Sequence, residues 1–280
     1  MKKIIDISKW NAIVNFSVIN KEVDGVIVRA GFSANMSGIP SQDSRFFPYM
    51  TELNNNKVAL GSYYVTAAIN EQEAKDEAEF FINSIKSSGV ILSLPLFVCS
   101  EWTTTSHNGR SDNLTAEDRT SIIKTFIEHC KILGYNCGIM AKSSWLKDHL
   151  NTDDLKSNFL WVIKDSEYIF DNVIMVRTSE KHEVKGIAGY VSLNDNIEHI
   201  NPYIIPELAP KQKKEKPKKK TYNVGGFINA KDAEVFKTSI SSTVIDTVSG
   251  RCYIVSATVR NGRIKVSNKK NGDPIGWIVV

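Results

Sequence analysis

Short apolar runs alternating with amphipathic helices constrain this chain more than any other feature. Lys3–Ile7, Gly25–Ala30 (GVIVRA), Val58–Val65, Leu94–Cys99, Cys137–Ala141, Phe159–Ile163 and Val173–Val176 have the length and composition of buried strands. The predicted helices lie between them. Asn70 is placed to cap a helix over Glu71–Lys86, with Glu73 at the capping-box position. Its apolar residues Ala74, Ala78, Phe81, Ile82 and Ile85 form a stripe of 3.6-residue period. Thr115 is placed to cap a second helix over Ala116–Leu133, with the stripe Ile122, Ile123, Phe126, Ile127, Cys130 and Leu133. Apolar strands alternating with one-sided helices imply parallel strands covered by helices. About seven or eight strands in some 200 residues close most naturally as a (β/α) barrel. The alternative is a doubly wound sheet, but no Gly-rich phosphate loop follows the first strand.

The pattern stops near Tyr203. IIPELAPKQKKEKPKKK follows, and its prolines and like charges make residues 206–220 an extended linker. The chain is therefore expected to hold a first domain over 1–205 and a second over 221–280. The second has no helical stripe. Its β-rich runs Arg251–Val259, Arg263–Ser267 and Gly276–Val280 are separated by Ser249-Gly250, Asn261-Gly262 and Asn271-Gly272, which predicts hairpins in a small all-β barrel.

The 280 residues carry a net charge of +4, but the stretch 211–220 alone holds seven lysines and one glutamate. The remainder has 28 basic and 30 acidic residues. The basicity is thus one short tract, unlike the spread basic face of a nucleic-acid-binding domain. The tract reads as a solvated spacer, or as a tether to anionic polymer. No apolar run reaches the roughly 18 residues that a membrane span needs. The start MKKIIDISKW lacks a secretory apolar region, so action inside the cell or exit by another route is expected. Cys99, Cys130, Cys137 and Cys252 have no metal-site spacing and are expected to be reduced and buried. No metal or cofactor is implied.

Sites in such barrels gather at the C-terminal strand ends. Asp6, Arg29, Cys99, Glu101 and Ser192 are the polar residues placed there. Alternation sets Cys99 and Glu101 on one side of an extended chain. A carboxylic acid at a barrel mouth suits general-acid work, because partial burial raises its pKa.

Residues 1–200 resemble the glycoside hydrolase family 25 muramidases, the lysozymes of bacteria and their phages. The supporting segments run in order: IIDISKWN (4–11), VDGVIVRAGFS (23–33) with Asp43, Arg45 and Phe46, ALGSYYVTAAINEQEAKDEAEFF (59–81), LPLFVCSEW (94–102), GRSDNLTAEDRTSIIKTF (109–126), GYNCGIMAKSSW (134–145) and VKGIAGYVSLN (184–194). The resemblance implies a flattened, irregular (β/α) barrel with a groove for the peptidoglycan glycan strand. It implies Glu101 as proton donor and Asp6 as the family's opening aspartate, with Arg29, Tyr63 and Trp102 as substrate contacts. Cleavage of this kind needs a protonated carboxyl and a group that stabilises an oxocarbenium-like centre.

The chain departs from the family on the chemistry. Cys99 stands where the resemblance places the aspartate of an Asp-x-Glu pair, and Ser192 where it places a late aspartate. Asp195 lies at an odd offset and is expected on the opposite face. Val65 and Met140 stand at aromatic positions, and Met175-Val176-Arg177 replaces Trp-Gln-Tyr. Lost aromatics are expected to weaken sugar contacts as well as catalysis.

Residues 224–240 and 262–278 resemble the SH3-like wall-binding modules that follow lysin catalytic domains, with Gly276-Trp277-Ile278 the firmest part. Tyr222, Tyr253 and Trp277 are its candidate ligand contacts. Three readings remain: a wall-binding muramidase homologue with weak or lost activity, an active N-acetylmuramidase using Asp6, Glu101 and a further carboxylate such as Asp165 or Asp171, and a non-enzymatic phage-particle or toxin-associated protein reusing the barrel. In each of the first two the partner is bacterial peptidoglycan or another wall polymer, reached after holin-dependent release or lysis.

Overall fold

The computed structural model describes residues 2–33, 36–167, 170–196, 200–204, 222–241 and 243–280. The chain divides into two compact units, Met1–Ala209 and Pro210–Val280. The Lys/Pro tract at 206–220 lies outside the described residues.

The first unit is an eight-stranded closed sheet. Its strands are β1 (Lys2–Ile7), β2 (Gly25–Phe32), β3 (Leu60–Val65), β4 (Leu96–Cys99), β5 (Cys137–Lys142), β6 (Leu160–Ile163), β7 (Val173–Glu183) and β8 (Tyr190–Asn196). Strands β1 to β7 are parallel neighbours in sequence order. Strand β8 closes the ring and runs antiparallel to both β7 and β1. This last strand is the irregularity of the barrel. It follows β7 through a short turn and has no helix to cross over, so it can only return antiparallel.

Among the described residues, the helices longer than one turn on the outside are α1 (Phe46–Asn55), α2 (Glu71–Ser88), α3 (Ala116–Ile132) and α4 (Ser143–His149). The caps are those expected from sequence. Asn70 accepts from the Glu73 N–H at 2.9 Å, and Thr115 accepts from the Asp118 N–H at 3.1 Å. Glu73 reaches further than a capping box requires and makes a two-pronged ion pair with Arg110, at 2.6 and 3.0 Å. The helical stripes pack on the outward strand residues, such as Val26, Val28, Tyr64 and Val98, in one large apolar layer.

The inward residues fill a second core inside the barrel: Ile4, Ile27, Tyr63, Phe97, Met140 and Trp161 among them. Period-two alternation therefore sorts strands β1 to β6 between two cores. Gly138 is required on β5, because a Cβ there would come within 2.3 Å of the Phe159 ring. One buried acid belongs to the outer layer. Glu77 of α2 accepts from the Thr66 hydroxyl at 2.5 Å and the Ala67 N–H at 3.3 Å, tying α2 to the end of β3.

The second unit is a closed four-stranded barrel of β9 (Phe227–Phe236), β10 (Val244–Arg260), β11 (Arg263–Ser267) and β12 (Gly276–Val279). Val235, Cys252, Ile254, Ile264, Val266 and Ile278 form its core. Asn261 and Gly262 both have positive φ, 50° and 72°, as the hairpin between β10 and β11 requires. Ser249-Gly250 was expected to be a turn and is not one. The strand continues through it, with Gly250 at φ 97° opposite a bulge in β9, where Lys231 and Asp232 face Ser249 alone. All four cysteines are free and buried.

Candidate functional site

At the C-terminal end of the first barrel, alternation brings Asp6, Arg29, Tyr63, Val65, Cys99, Met140, Arg177 and Ser192 around one groove of about 270 Å³. Glu101, two residues beyond the end of β4, borders it. Glu101 also borders a second cavity of about 520 Å³, lined by Trp102, His107, Lys142, Trp145, His149 and Asp165. The two cavities share Glu101, so the acid stands at their junction.

Asp6 ends the inward row of β1 and is buried. Its Oδ1 accepts from Arg177 Nη2 at 2.9 Å, and its Oδ2 accepts from the Asn194 side-chain amide at 2.9 Å. Asn194 is fixed in turn, accepting from the Trp161 indole N–H at 2.8 Å. Burial pushes the Asp6 carboxyl above its ordinary range, and Arg177 and Asn194 hold back part of that rise. Burial also raises the Glu101 carboxyl, against the pull of Arg177, Lys142 and Arg29. The side chain of Glu101 is exposed to the groove, and the protein around its carboxyl is the source of the rise. A raised carboxyl facing a groove is what proton donation requires.

Cys99 lines the same groove as these two acids. Burial and the neighbouring Glu101 push its thiol well above its usual pKa, so it is protonated and uncharged. Ser192 lies directly opposite Asp6 in the β1–β8 register. Asp195 pairs with Lys3 and points away from the groove, as the odd offset predicts. Arg29 is held from behind, its Nε 2.8 Å from the buried Asp43 carboxylate. That carboxylate also accepts from the Lys9 and Arg45 backbone N–H groups at 3.1 and 3.0 Å. Tyr63 is buried against Trp161 with ring centroids 5.8 Å apart, so its contact with the groove is confined to its tip.

Trp102 does not present a bare face. His107 stacks on it at 4.0 Å, and Trp145 meets its edge at 4.7 Å. Trp145 donates to the Ser100 hydroxyl at 3.0 Å, which fixes the chain just before Glu101. Beyond it, Asp112 accepts from the Thr103 and Gly109 N–H groups, both at 2.8 Å, and shapes the loop that follows.

Neither further carboxylate considered from sequence serves the groove. Asp165 caps α4, accepting from the Ser143 hydroxyl and the Ser144 N–H at 2.8 and 2.9 Å. Despite partial burial, these bonds and the Ser144 hydroxyl hold its carboxyl below the usual range. Asp171 lines a different cavity with Leu146, Thr152 and Phe170. The acid that does reach the groove is Glu180 on β7, exposed at its rim.

Two exposed aromatics stand at the groove besides the positions considered from sequence. Trp10, 78% exposed, and Tyr190, 56% exposed, both line the Asp6 groove. Trp10 has a sequence signal, an aromatic four residues after the inward Asp6. Tyr190 and Asn194 have none, because their placement depends on where β8 returns.

In the second barrel, Tyr253 lies opposite Ser267, and Trp277 lies opposite Lys265. Lys265 and Ser267 are two residues apart on β11, which places all four side chains on one wall, away from the Ile264 and Val266 core. Tyr222 instead packs against that core. Phe227, half exposed, contacts Tyr253 edge-on and carries the Arg251 guanidinium at 4.8 Å.

Among the described residues, no group of three or more His, Cys, Asp or Glu could hold a metal ion, and no helix is long and apolar enough to cross a membrane.

The family profile of glycosyl hydrolases family 25 matches residues 5–178, and the chain belongs to that family. The fold is similar to that of the modular autolysin LytC from Streptococcus pneumoniae, solved in complex with a synthetic peptidoglycan ligand, at 27% identity and a TM-score of 0.62. That match covers 69% of this chain and 46% of LytC, so the chain spans less than half of that autolysin. The catalytic domain of endolysin ply40 from bacteriophage P40 of Listeria monocytogenes is similar in fold, at 22% identity and a TM-score of 0.55, over 70% of this chain and 93% of that one. The spore cortex lytic enzyme SleM of Clostridium perfringens, at 14% identity and a TM-score of 0.61, shares the fold over 99% of this chain and 86% of its own. No curated protein matches the chain.

Proposed function

We propose that this protein is a lysozyme-like, cell-wall-binding member of its family whose barrel holds the peptidoglycan glycan strand and cleaves it weakly or not at all. The observation that carries this reading is the floor of the groove. Beside Asp6 and Glu101 its lining holds the neutral Cys99 thiol and the Ser192 hydroxyl. Glycoside cleavage builds positive charge at the anomeric carbon and needs negative charge beside it. A thiol that stays protonated and a hydroxyl supply none. The groove nevertheless keeps the means to hold a sugar, with exposed Trp10 and Tyr190 beside the polar Arg29 and Asp6. The second barrel, read as an SH3-like wall-binding module, adds adhesion through Tyr253 and Trp277. The site of action on this reading is the bacterial wall.

A second reading, active muramidase, is favoured by two observations: Glu101 has a raised carboxyl, as a general acid requires, and Glu180 lines the same groove as a candidate second carboxylate. One assay separates the two. Purified full-length protein is mixed with labelled peptidoglycan and scored independently for binding and for release of reducing sugar. Binding without release supports the first reading. Release that Glu101→Gln abolishes establishes the second, and Glu180→Gln then tests the second carboxylate. Failure to bind or cleave would favour a protein-interaction role for the barrel.

A further inference from the structure

We propose that Arg177 is the residue that silences the groove, a fixed cation locked onto Asp6 at the place where a glycosidase needs negative potential. The inference rests on reading the barrel as a glycan-binding, cleavage-poor groove, and it identifies what keeps it so beyond the two missing carboxylates.

The arginine is built in. Its side chain is 13% exposed and its guanidinium lies 5.7 Å from the centroid of the Trp161 ring. Trp161 in turn donates to Asn194, and Asn194 donates to the Asp6 oxygen that Arg177 leaves open. Trp161, Asn194, Asp6 and Arg177 therefore form one connected set across β6, β8, β1 and β7. Both Asp6 oxygens are occupied, and the set leaves Asp6 neutralised by its own protein.

Three consequences follow from charge alone. A guanidinium does not lose its proton in a protein, so the positive charge persists at every working pH. It opposes the cation that develops at the anomeric carbon. It also draws Glu101 toward ionisation, since Arg177 is the largest influence working against the burial that raises that carboxyl. A proton donor is weakened by such a pull. Carboxylates introduced at positions 99 and 192 would enter the field of the same arginine and be neutralised in their turn.

The experiment compares the unaltered protein with four variants: Arg177→Gln, the double variant C99D/S192D, and that double variant carrying either R177Q or R177K. Glutamine keeps a donor for Asp6 and removes the charge; lysine keeps the charge. Two readouts are taken, reducing-sugar release from purified peptidoglycan and carboxyl titration of Asp6 and Glu101 by carbon-13 NMR. The expected result is that C99D/S192D/R177Q exceeds C99D/S192D by about 10- to 100-fold in kcat/KM, at or below the roughly 100-fold of one group acting directly on transition-state charge. The R177K triple variant stays as slow as the double. In R177Q alone, Asp6 and Glu101 both titrate at higher pH than in the unaltered protein. A purely structural role for Arg177 would not produce that paired shift.

The inference is overturned if the R177Q and R177K triple variants are equally fast, or if both carboxyls titrate unchanged in R177Q. Failure of the underlying reading looks different. The unaltered protein would then release sugar in a Glu101-dependent way, and the lock would be upheld or overturned by whether R177Q accelerates that release.

Discussion

Asp6 and Ser192 are direct partners across the antiparallel β1–β8 seam, so their side chains emerge on the same side, into the groove. The position best placed to share charge with Asp6 thus carries a hydroxyl. With Cys99 also neutral, two sources of transition-state stabilisation are absent, each typically worth ~3 kcal/mol or about 100-fold in rate. The expected outcome is no clearing of susceptible walls at ordinary muramidase rates, followed as turbidity over hours. Rapid clearing that disappears in Glu101→Gln would show that the groove works without them.

Trp10 is the most exposed aromatic at the groove. Covering one of its faces with a sugar ring should contribute about 1–2 kcal/mol. Trp10→Ala is therefore expected to weaken binding of soluble glycan fragments about 5- to 30-fold while leaving the melting temperature unchanged, since the side chain packs little in the fold. Titration calorimetry and thermal melts measure the two effects. A large drop in melting temperature would assign Trp10 to the fold instead.

Glu77 sets a pH dependence of stability. Burial pushes its carboxyl up to about 7, despite hydrogen bonds from Thr66 and Ala67. The folded state thus binds this proton more tightly than the unfolded chain does. Stability from this group is full below the ordinary carboxylate range and is lost as pH rises toward 7, by on the order of 3 kcal/mol. Chemical denaturation at pH 4.5 and pH 8 should show that loss, and Glu77→Gln should remove most of the slope. An unchanged slope in the variant would place the dependence elsewhere.

The second barrel and the lysine tract make opposite forecasts for salt. At 1 M salt the Debye length falls to ~3 Å, so binding through Lys211–Lys220 would collapse, whereas contacts through Tyr253 and Trp277 would largely persist. Pull-down on purified walls with fragments 221–280 and 206–280, each at low and high salt, should retain both fragments at high salt. If 221–280 stays in solution and 206–280 binds only at low salt, the barrel is passive and the tract does the binding.

Much of the fold was legible because it depends on local pattern. Seven strands and two capped helices follow from periodicity and from Asn70 and Thr115, all properties of neighbouring residues. The inward direction of Cys99 and the outward direction of Asp195 follow from the period of two. The less legible parts are those that depend on a return of the chain. Strand β8 brings Asn194 and Tyr190 to residues near position 6, and no local pattern encodes that registry. Ser249-Gly250 has a turn composition but lies within a strand opposite a bulge of β9, because pairing with β9 continues across it.

The amino-acid sequence by itself determined which groups were available to the groove: Asp6 and Glu101 as acids, Cys99 and Ser192 as neutral residues, and an arginine at 177. Only the tertiary structure decided how they act on one another. Whether Arg177 is a surface charge or a lock on Asp6 depends on the closure of the barrel, which places β7, β8 and β1 side by side and brings residues 171 positions apart to 2.9 Å. Electrostatic effects depend on separation in space and on the exclusion of water. Both are set by the closed barrel, not by adjacency along the chain.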